Sequence, residues 1–284
     1  MKTVLELLTL TSDYFAKKGI PSPRLDAEVL MAYLIGKDRV GVYCSYDQPL
    51  QDPEIDRFRD LVRRRINREP VAYIIGKKEF FGRDFLVTPA VLIPRPDTET
   101  LVETALELLK SQTAPAICDV GTGSGCIGLT LLKQHPTATL FATDISPDAA
   151  AIARQNADML ELSDRVEIAT GPYFAGTDQT FDLIVSNPPY IPLGDKPTLA
   201  PEITEFEPQQ ALYGGDDGLD IIRELIAQSL IRIRPGGSLL IEIGAGQAEN
   251  VLALLEKTAT FGSVKAFRDL AGTKRVAAGL IKHE

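Results

Sequence analysis

Asn187-Pro188-Pro189-Tyr190 is the segment whose residue types most restrict the chemistry available to this chain. It follows the apolar, strand-type run Phe181–Ser186, so it is read as a rigid polar turn at a strand end. Two successive prolines remove two backbone donors and fix φ, which leaves carbonyl groups presented in a defined direction. A planar NH2 group has two hydrogens to give, and the Asn187 side-chain oxygen and the Pro188 carbonyl can take one each. Tyr190 can lie against the plane of the same group, with the nitrogen lone pair aimed at an electrophile. Taken alone, the four residues also fit a proline-rich strand exit with a packing tyrosine.

A second constellation lies upstream. Cys118-Asp119-Val120-Gly121-Thr122-Gly123-Ser124-Gly125 follows another buried-type strand and opens a helix, the place where nucleotide-like ligands meet the carboxyl edge of an α/β sheet. Glycines let the backbone turn sharply and approach a ligand where a Cβ would collide. Asp144 ends the next strand, where a carboxylate can accept both hydroxyls of a ribose. The turn is ambiguous by itself, because Gly123-Ser-Gly125-Cys-Ile-Gly128 also satisfies the G-x-G-x-x-G of a dinucleotide fold. S-adenosylmethionine and NAD both fit it. Asp119 favours the first, since a carboxylate repels a pyrophosphate and suits the ammonium of a methionine moiety. NAD chemistry has no use for the Asn-Pro-Pro-Tyr turn, so methyl transfer is the reading that uses both constellations.

The elements that position these turns change character along the chain. Residues 1–75 read as helices: Val4, Leu5, Leu7, Leu8, Tyr14 and Phe15 recur at helical spacing, and further segments start at Ser22-Pro23 and Asp52-Pro53. This region is expected to be a separate domain that recognises the substrate. Residues 76–95 form a linker with a short hairpin turning at Gly82. From 96 to 284 strands alternate with helices: Ala116–Val120, Thr139–Asp144, 165–170, Phe181–Ser186 and 238–243 as strands, with 125–134, 147–160 and 219–233 as helices between them. That alternation predicts an α/β fold with a parallel sheet covered on both faces. Two last strands, 263–268 and 274–281, are separated only by a short turn and predict an antiparallel hairpin at one edge.

The combination DVGTGSG with SNPPYI resembles class I methyltransferases that act on planar amide or exocyclic amino nitrogens. Two further segments narrow the resemblance: Leu92-Ile-Pro-Arg95-Pro-Asp97-Thr-Glu99, and the run from Glu202 through Glu207-Pro208 and Gly214-Gly215 to Leu219. With the helical N-terminal region, they make the whole chain similar to the PrmC/HemK family, the release factor glutamine methyltransferases. The resemblance implies a Rossmann-like, seven-stranded methyltransferase domain behind a small helical domain, S-adenosyl-L-methionine as cofactor, and class 1 peptide chain release factors as partners. It implies that the glutamine amide of their Gly-Gly-Gln loop receives the methyl group. Carried over by position, Gly121, Thr122, Gly123, Ser124 and Gly125 would cradle the methionine part, Asp144 the ribose, and Tyr173 the adenine, where relatives often carry Trp. Asn187 would touch both cofactor and substrate, and Asn187, Pro188, Pro189 and Tyr190 would hold the amide, with Asn187, Pro188 and Tyr190 catalytic. Arg95 and Pro94 would line the cleft. An amide nitrogen is a weak nucleophile and no His or Lys base accompanies the motif, so catalysis is expected from alignment. An adenine-N6 methyltransferase of nucleic acid shares Asn-Pro-Pro-Tyr and is the alternative.

Composition bears on that alternative. The net charge is −9, and the deficit is uneven: residues 1–85 hold 15 Lys/Arg against 13 Asp/Glu, so the remainder carries −11. A chain that binds nucleic acid by neutralising phosphates has the opposite balance, so no direct nucleic-acid contact is expected. The six arginines between Arg57 and Arg68 alternate with Asp56, Asp60 and Glu69, which favours a solvated, ion-paired face over a docking surface. His135, His283 and three isolated cysteines provide no zinc site; Cys118 and Cys126 are read as packing residues. The absence of CxxC suits a reducing cytosol, and Glu6 and Asp13 break the apolar start, so neither signal peptide nor membrane span is read there. A cytoplasmic monomer is expected.

Overall fold

The computed structural model of this chain describes residues 2–281, which leaves His283 outside it. The chain divides into two compact units, one formed by Met1–Lys77 with Ala200–Phe206 and one by Lys78–Leu199 with Glu207–Glu284.

The first unit is helical: α1 (Val4–Lys17), α2 (Pro23–Ile35), α3 (Arg39–Tyr43), α4 (Asp52–Ile66) and α5 (Val71–Ile75). A capping box starts α1, with Thr3 Oγ1 accepting from the Glu6 N–H and Glu6 Oε2 from the Thr3 N–H. Pro23 opens α2 and Gly36 ends it at φ 66°. Leu8, Phe15, Leu30, Met31 and Phe58 form its core. The arginine-rich α4 departs in part from the solvated face expected of it. Arg59–Asp56 and Arg63–Asp60 are exposed ion pairs, which contribute little. Arg65, however, is buried, and its guanidinium holds Asp26 at 2.7 Å and Glu202 at 3.1 Å. Arg68 reaches the same Glu202 oxygen at 3.4 Å. Glu202 stands on the one-turn helix α9 (Pro201–Thr204), so Arg65 of α4 and Arg68 just beyond its end fasten a segment that comes from far along the chain.

The second unit opens with the hairpin β1 (Lys77–Phe80) and β2 (Arg83–Leu86), whose turn residues Phe81 and Gly82 both have positive φ, the two-residue geometry that matches strand twist. The alternation follows: α6 (Glu99–Leu109), β3 (Ala116–Val120), α7 (Cys126–Gln134), β4 (Thr139–Asp144), α8 (Pro147–Met159), β5 (Val166–Thr170), β6 (Phe181–Ser186), α10 (Asp220–Ser229), β7 (Ile233–Glu242), α11 (Ala248–Lys257), β8 (Phe261–Arg268) and β9 (Lys274–Ile281). The seven strands run in the order β5-β4-β3-β6-β7-β9-β8. The first five are parallel, and β9 is antiparallel to both neighbours. The central strands β3 and β6 are buried almost throughout, as a sheet covered on both faces requires. One boundary moves from the sequence reading: the helix expected to reach residue 233 stops at Ser229, because Ile233 already pairs with Phe181 in the sheet. Strand order reverses between β3 and β6, so their carboxyl ends bound the crevice where ligands of such sheets bind. Among the described residues no helix is long and apolar enough to cross a membrane, and no group of side chains could hold a metal ion.

Candidate active site

The glycine turn leaves β3 with Gly121, Gly123 and Gly125 all at positive φ. Its N–H groups are tied to the end of β4: those of Gly121 and Thr122 donate to the Thr143 carbonyl at 2.8 and 2.9 Å, and that of Gly123 to Asp144 Oδ2 at 2.8 Å. A pyrophosphate site needs successive N–H groups facing the ligand, and here three are engaged within the protein. The rest of the dinucleotide pattern also has a packing cause. A Cβ on Gly125 would stand 2.7 Å from Leu129 Cδ1, and one on Gly128 2.8 Å from Leu140 Cδ2 and 2.9 Å from Asp119 Oδ2. Asn156 of α8 braces the turn from behind, its Nδ2 donating to the Ser124 carbonyl at 2.8 Å.

Asp119, read from sequence as a partner for an ammonium, lies elsewhere. It is fully buried under the turn, where Oδ2 accepts from the Thr122 hydroxyl at 2.7 Å and the Gly128 N–H at 3.0 Å, while Oδ1 has no partner. Burial pushes its carboxyl up to about 6. Its place is to hold the turn from below, away from the cavity.

The cavity at the β3–β6 crevice is lined by Gly121, Thr122, Gly123, Ser124, Asp144 and Tyr173 on one side and by Asn187 and Pro188 on the other. Pro94 and Arg95 also line it. Gly125, Pro189 and Tyr190 do not. Asp144 keeps acceptor capacity, since each oxygen receives only one backbone N–H, from Ser146 and Gly123. Burial raises its pKa, and two hydroxyl donors would relieve that burden. Gly121 and Gly123 have open space where a Cβ would project, and Ser124 holds a buried hydroxyl without a partner. A backbone cradle with spare acceptors and a spare hydroxyl fits a ribose and an amino acid moiety. Tyr173 adopts φ 50°, its carbonyl accepting from the Thr143 hydroxyl.

The Asn-Pro-Pro-Tyr turn is braced on several sides. Ser186 Oγ donates to the Val120 carbonyl at 2.7 Å, locking the ends of β6 and β3 together. Gln247 Nε2 donates to the Tyr190 carbonyl at 2.8 Å. The Ile191 N–H donates to the Leu212 carbonyl at 2.9 Å, and the Gly214 N–H to the Ile191 carbonyl at 3.0 Å. Asn187 Nδ2 donates to Thr98 Oγ1 at 3.3 Å, which leaves Oδ1 as the amide's free acceptor. The Tyr190 ring packs in the apolar layer and its hydroxyl donates to Glu242 Oε1 at 3.3 Å.

Three residues escaped the sequence reading. Glu242, 1% exposed, ends β7 beside the turn, and burial pushes its carboxyl up to about 7; an acid inside Leu239-Leu240-Ile241-Glu242-Ile243 was the available signal. Ile145 follows Asp144, lines the cavity and is 62% exposed. Thr98 lies inside the Leu92–Glu99 segment that carries the resemblance but is given no role of its own there. Glu207 is buried and holds Arg95 at 2.5 Å, which anchors the loop whose Pro208, Gln210 and Ala211 complete the cavity wall.

Comparison with known proteins adds sequence identity to this geometry. Residues 6–76 match the PrmC N-terminal domain and residues 97–204 the methyltransferase small domain. The chain is 45% identical over 280 residues to the release factor glutamine methyltransferase of Geobacter sulfurreducens, covering 98% of this chain and 97% of that one. It is 41% identical over 280 residues to the protein of the same name from Rhodopirellula baltica, covering 96% and 95%. Among solved structures, the catalytic domain of hMettl16, in complex with a MAT2A 3′UTR hairpin, is similar with a TM-score of 0.56 at 20% identity, over 81% of this chain and 82% of that one. At that identity the likeness is one of fold.

Proposed function

The chain belongs to the release factor glutamine methyltransferases, and from that premise we propose that it methylates the side-chain nitrogen (N5) of the glutamine in the Gly-Gly-Gln motif of class 1 peptide chain release factors. The observation that carries this reading is the free Asn187 Oδ1 on a cavity wall opposite the glycine turn, on a peptide path that Pro188 and Pro189 stiffen. The enzyme is an S-adenosylmethionine-dependent methyltransferase. That cofactor, when bound, supplies an electrophilic methyl on a sulfonium. Gly121–Ser124 would hold its methionine part, Asp144 its ribose, and Tyr173 with Ile145 its purine.

The chain's own groups act on the amide. Asn187 Oδ1 and the Pro188 carbonyl accept the two NH2 hydrogens and turn the nitrogen lone pair toward the methyl. Positive charge grows on nitrogen as the N–C bond forms and the S–C bond breaks, and fixed acceptors stabilise it. Neither His nor Lys lines the cavity among the described residues, so the released proton passes to water. Orientation in such a site can supply about 7–11 kcal/mol of the barrier. The helical unit, matched over residues 6–76, is assigned to recognition of the protein substrate; Leu10, Tyr14 and Tyr33 are exposed apolar side chains there.

Labelled S-adenosylmethionine, incubated with the enzyme and a release factor, should label that factor and leave a version with the Gly-Gly-Gln glutamine replaced unlabelled. Labelling of both, or of neither, overturns the assignment. Asp144→Ala should weaken S-adenosylmethionine binding by about 1–3 kcal/mol, as expected when hydrogen bonds to a charged acceptor are lost. Calorimetry checks it; unchanged affinity removes Asp144 from the site.

A further inference from the structure

We propose that Arg95 and Glu207 work as a neutral pair on the substrate side of the cavity: Glu207 cancels the charge of Arg95, and the guanidinium hydrogens left over take a main-chain carbonyl of the substrate loop. This role rests on the substrate assignment above and adds a contact that the assignment lacks. Among the described residues that line the cavity, Arg95 is the only cation and Asp144 the only anion. A cavity that takes a sulfonium has no evident use for an arginine, because like charges in a partly desolvated site repel. The pairing of Arg95 resolves that conflict.

Arg95 stands between Pro94 and Pro96, and its backbone is extended, with φ −104° and ψ 144°, the region to which a residue before proline is confined. Its carbonyl accepts from the Thr98 N–H at 3.1 Å, and Thr98 Oγ1 in turn accepts from Asn187 Nδ2. The root of the Arg95 side chain is thus fixed on the short segment that touches Asn187. Its Nη2 donates to Glu207 Oε1 at 2.5 Å. The Glu207 side chain is 2% exposed and Oε2 has no partner, so a buried carboxylate depends on this one arginine. The Arg95 side chain is 35% exposed and makes no other hydrogen bond or ion pair among the described residues. A guanidinium has five N–H donors, so most of them stay unclaimed at the cavity wall.

A neutral pair suits a neutral acceptor. A carboxylate ligand, such as the one on the cofactor's methionine part, gains most from an uncompensated cation, and here the counter-charge is built in. A peptide carbonyl needs a strong donor and no net charge. The side-chain oxygen of the target glutamine is the wrong carbonyl, because a charged donor there draws the nitrogen lone pair further into the amide and weakens the nucleophile. A main-chain carbonyl carries no such penalty, and holding one fixes where the glutamine side chain enters the site. Glu207 is then a positioning residue. It acts through Arg95, keeping the guanidinium on the wall and the wall neutral toward the sulfonium.

The test compares variants of the full chain by kinetics with a release factor and by calorimetry with S-adenosylmethionine and S-adenosylhomocysteine, which differ by the methyl group and the positive charge. Arg95→Met should raise KM for the release factor about 10-fold or more, the worth of a hydrogen bond to a charged group, with kcat lowered far less. Arg95→Lys keeps the charge and loses the planar fork, so its KM should also be raised. Glu207→Gln keeps an acceptor for Arg95 and removes the counter-charge. It should weaken S-adenosylmethionine relative to S-adenosylhomocysteine about 3- to 10-fold, a ratio that mere loosening of the loop leaves alone. The double variant Arg95→Met/Glu207→Gln should return that ratio to the parent's while KM stays high. A parent-like KM in Arg95→Met overturns the carbonyl contact, and if affinity for S-adenosylmethionine falls instead, the guanidinium serves the cofactor's carboxylate. A parent-like ratio in Glu207→Gln overturns the neutral pair. The calorimetric ratio needs no protein substrate. A shifted ratio in an enzyme that leaves release factors unmethylated would keep the pair and discard the substrate assignment.

Discussion

Asn187→Ala should lower turnover on the release factor by roughly 100-fold or more, the usual consequence of removing one preorganised partner of a developing charge. The substitution is clean because the turn does not depend on this side chain for its path. Pro188 and Pro189 fix their own φ, Gln247 holds the Tyr190 carbonyl, and Ile191 is paired on both sides by Leu212 and Gly214. The loss should fall on kcat, with affinity for S-adenosylmethionine reduced far less. Asn187→Asp is the sharper control. It keeps an acceptor but places a negative charge beside Thr98 and removes the NH2 that donates to the Thr98 hydroxyl. It should bind the cofactor and methylate poorly. Near-normal turnover in Asn187→Ala, measured in single-turnover assays with the release factor, would refute catalysis by amide alignment.

The second large effect is expected from a residue that touches no substrate. Gly218 sits at φ 75°, and a Cβ there would stand 2.2 Å from the Tyr190 carbonyl oxygen, 2.8 Å from Gln247 Nε2 and 3.1 Å from Pro192 Cδ. The first of these is backbone of the Asn-Pro-Pro-Tyr turn, so relief requires the turn to move by about 1 Å, a displacement that can cost about 100-fold in rate where the turn aligns the reacting group. Gly218→Ala should therefore reach a turnover loss similar to that of Asn187→Ala while the glycine turn, on another strand end, still takes up cofactor. Backbone strain by itself is separated by Gly272→Ala: Gly272 has φ 84° in the β8–β9 turn with nothing within 4 Å of an added Cβ. That variant should lose about 1 kcal/mol of stability and keep its kcat. Equal kcat in the Gly218 and Gly272 variants would show that the 207–218 loop does not shape the catalytic turn.

Much of this architecture is local and was therefore legible. The β3, β4 and β6 runs are apolar over consecutive residues because both faces of a central parallel strand are covered, and that composition is written directly in the chain. Gly121–Gly125 and Asn187–Tyr190 carry their conformations in their own residue types: glycines where φ is positive, prolines where donors must be absent. Since each turn follows a strand, the sheet brings Asn187 and Asp144 to one edge without further information.

What the chain order could not contain is which side chains meet across long separations. Asp119 reads as a charge facing the ligand until the packing of α7 on β3 buries it beneath Gly128. Arg65 reads as one more surface arginine until Glu202, 137 residues further on, arrives beside it. Glu242 reads as an interruption of an apolar strand until the pairing of Ser186 with Ile241 sets β7 against β6 and brings its carboxylate to the Tyr190 hydroxyl. Backbone preference and burial pattern act over a few residues, so a sequence determines turns and strands by itself. Register and packing are decided by the whole core at once, and only they determine which buried charge faces which partner, and with it how the Asn187 carboxamide is held.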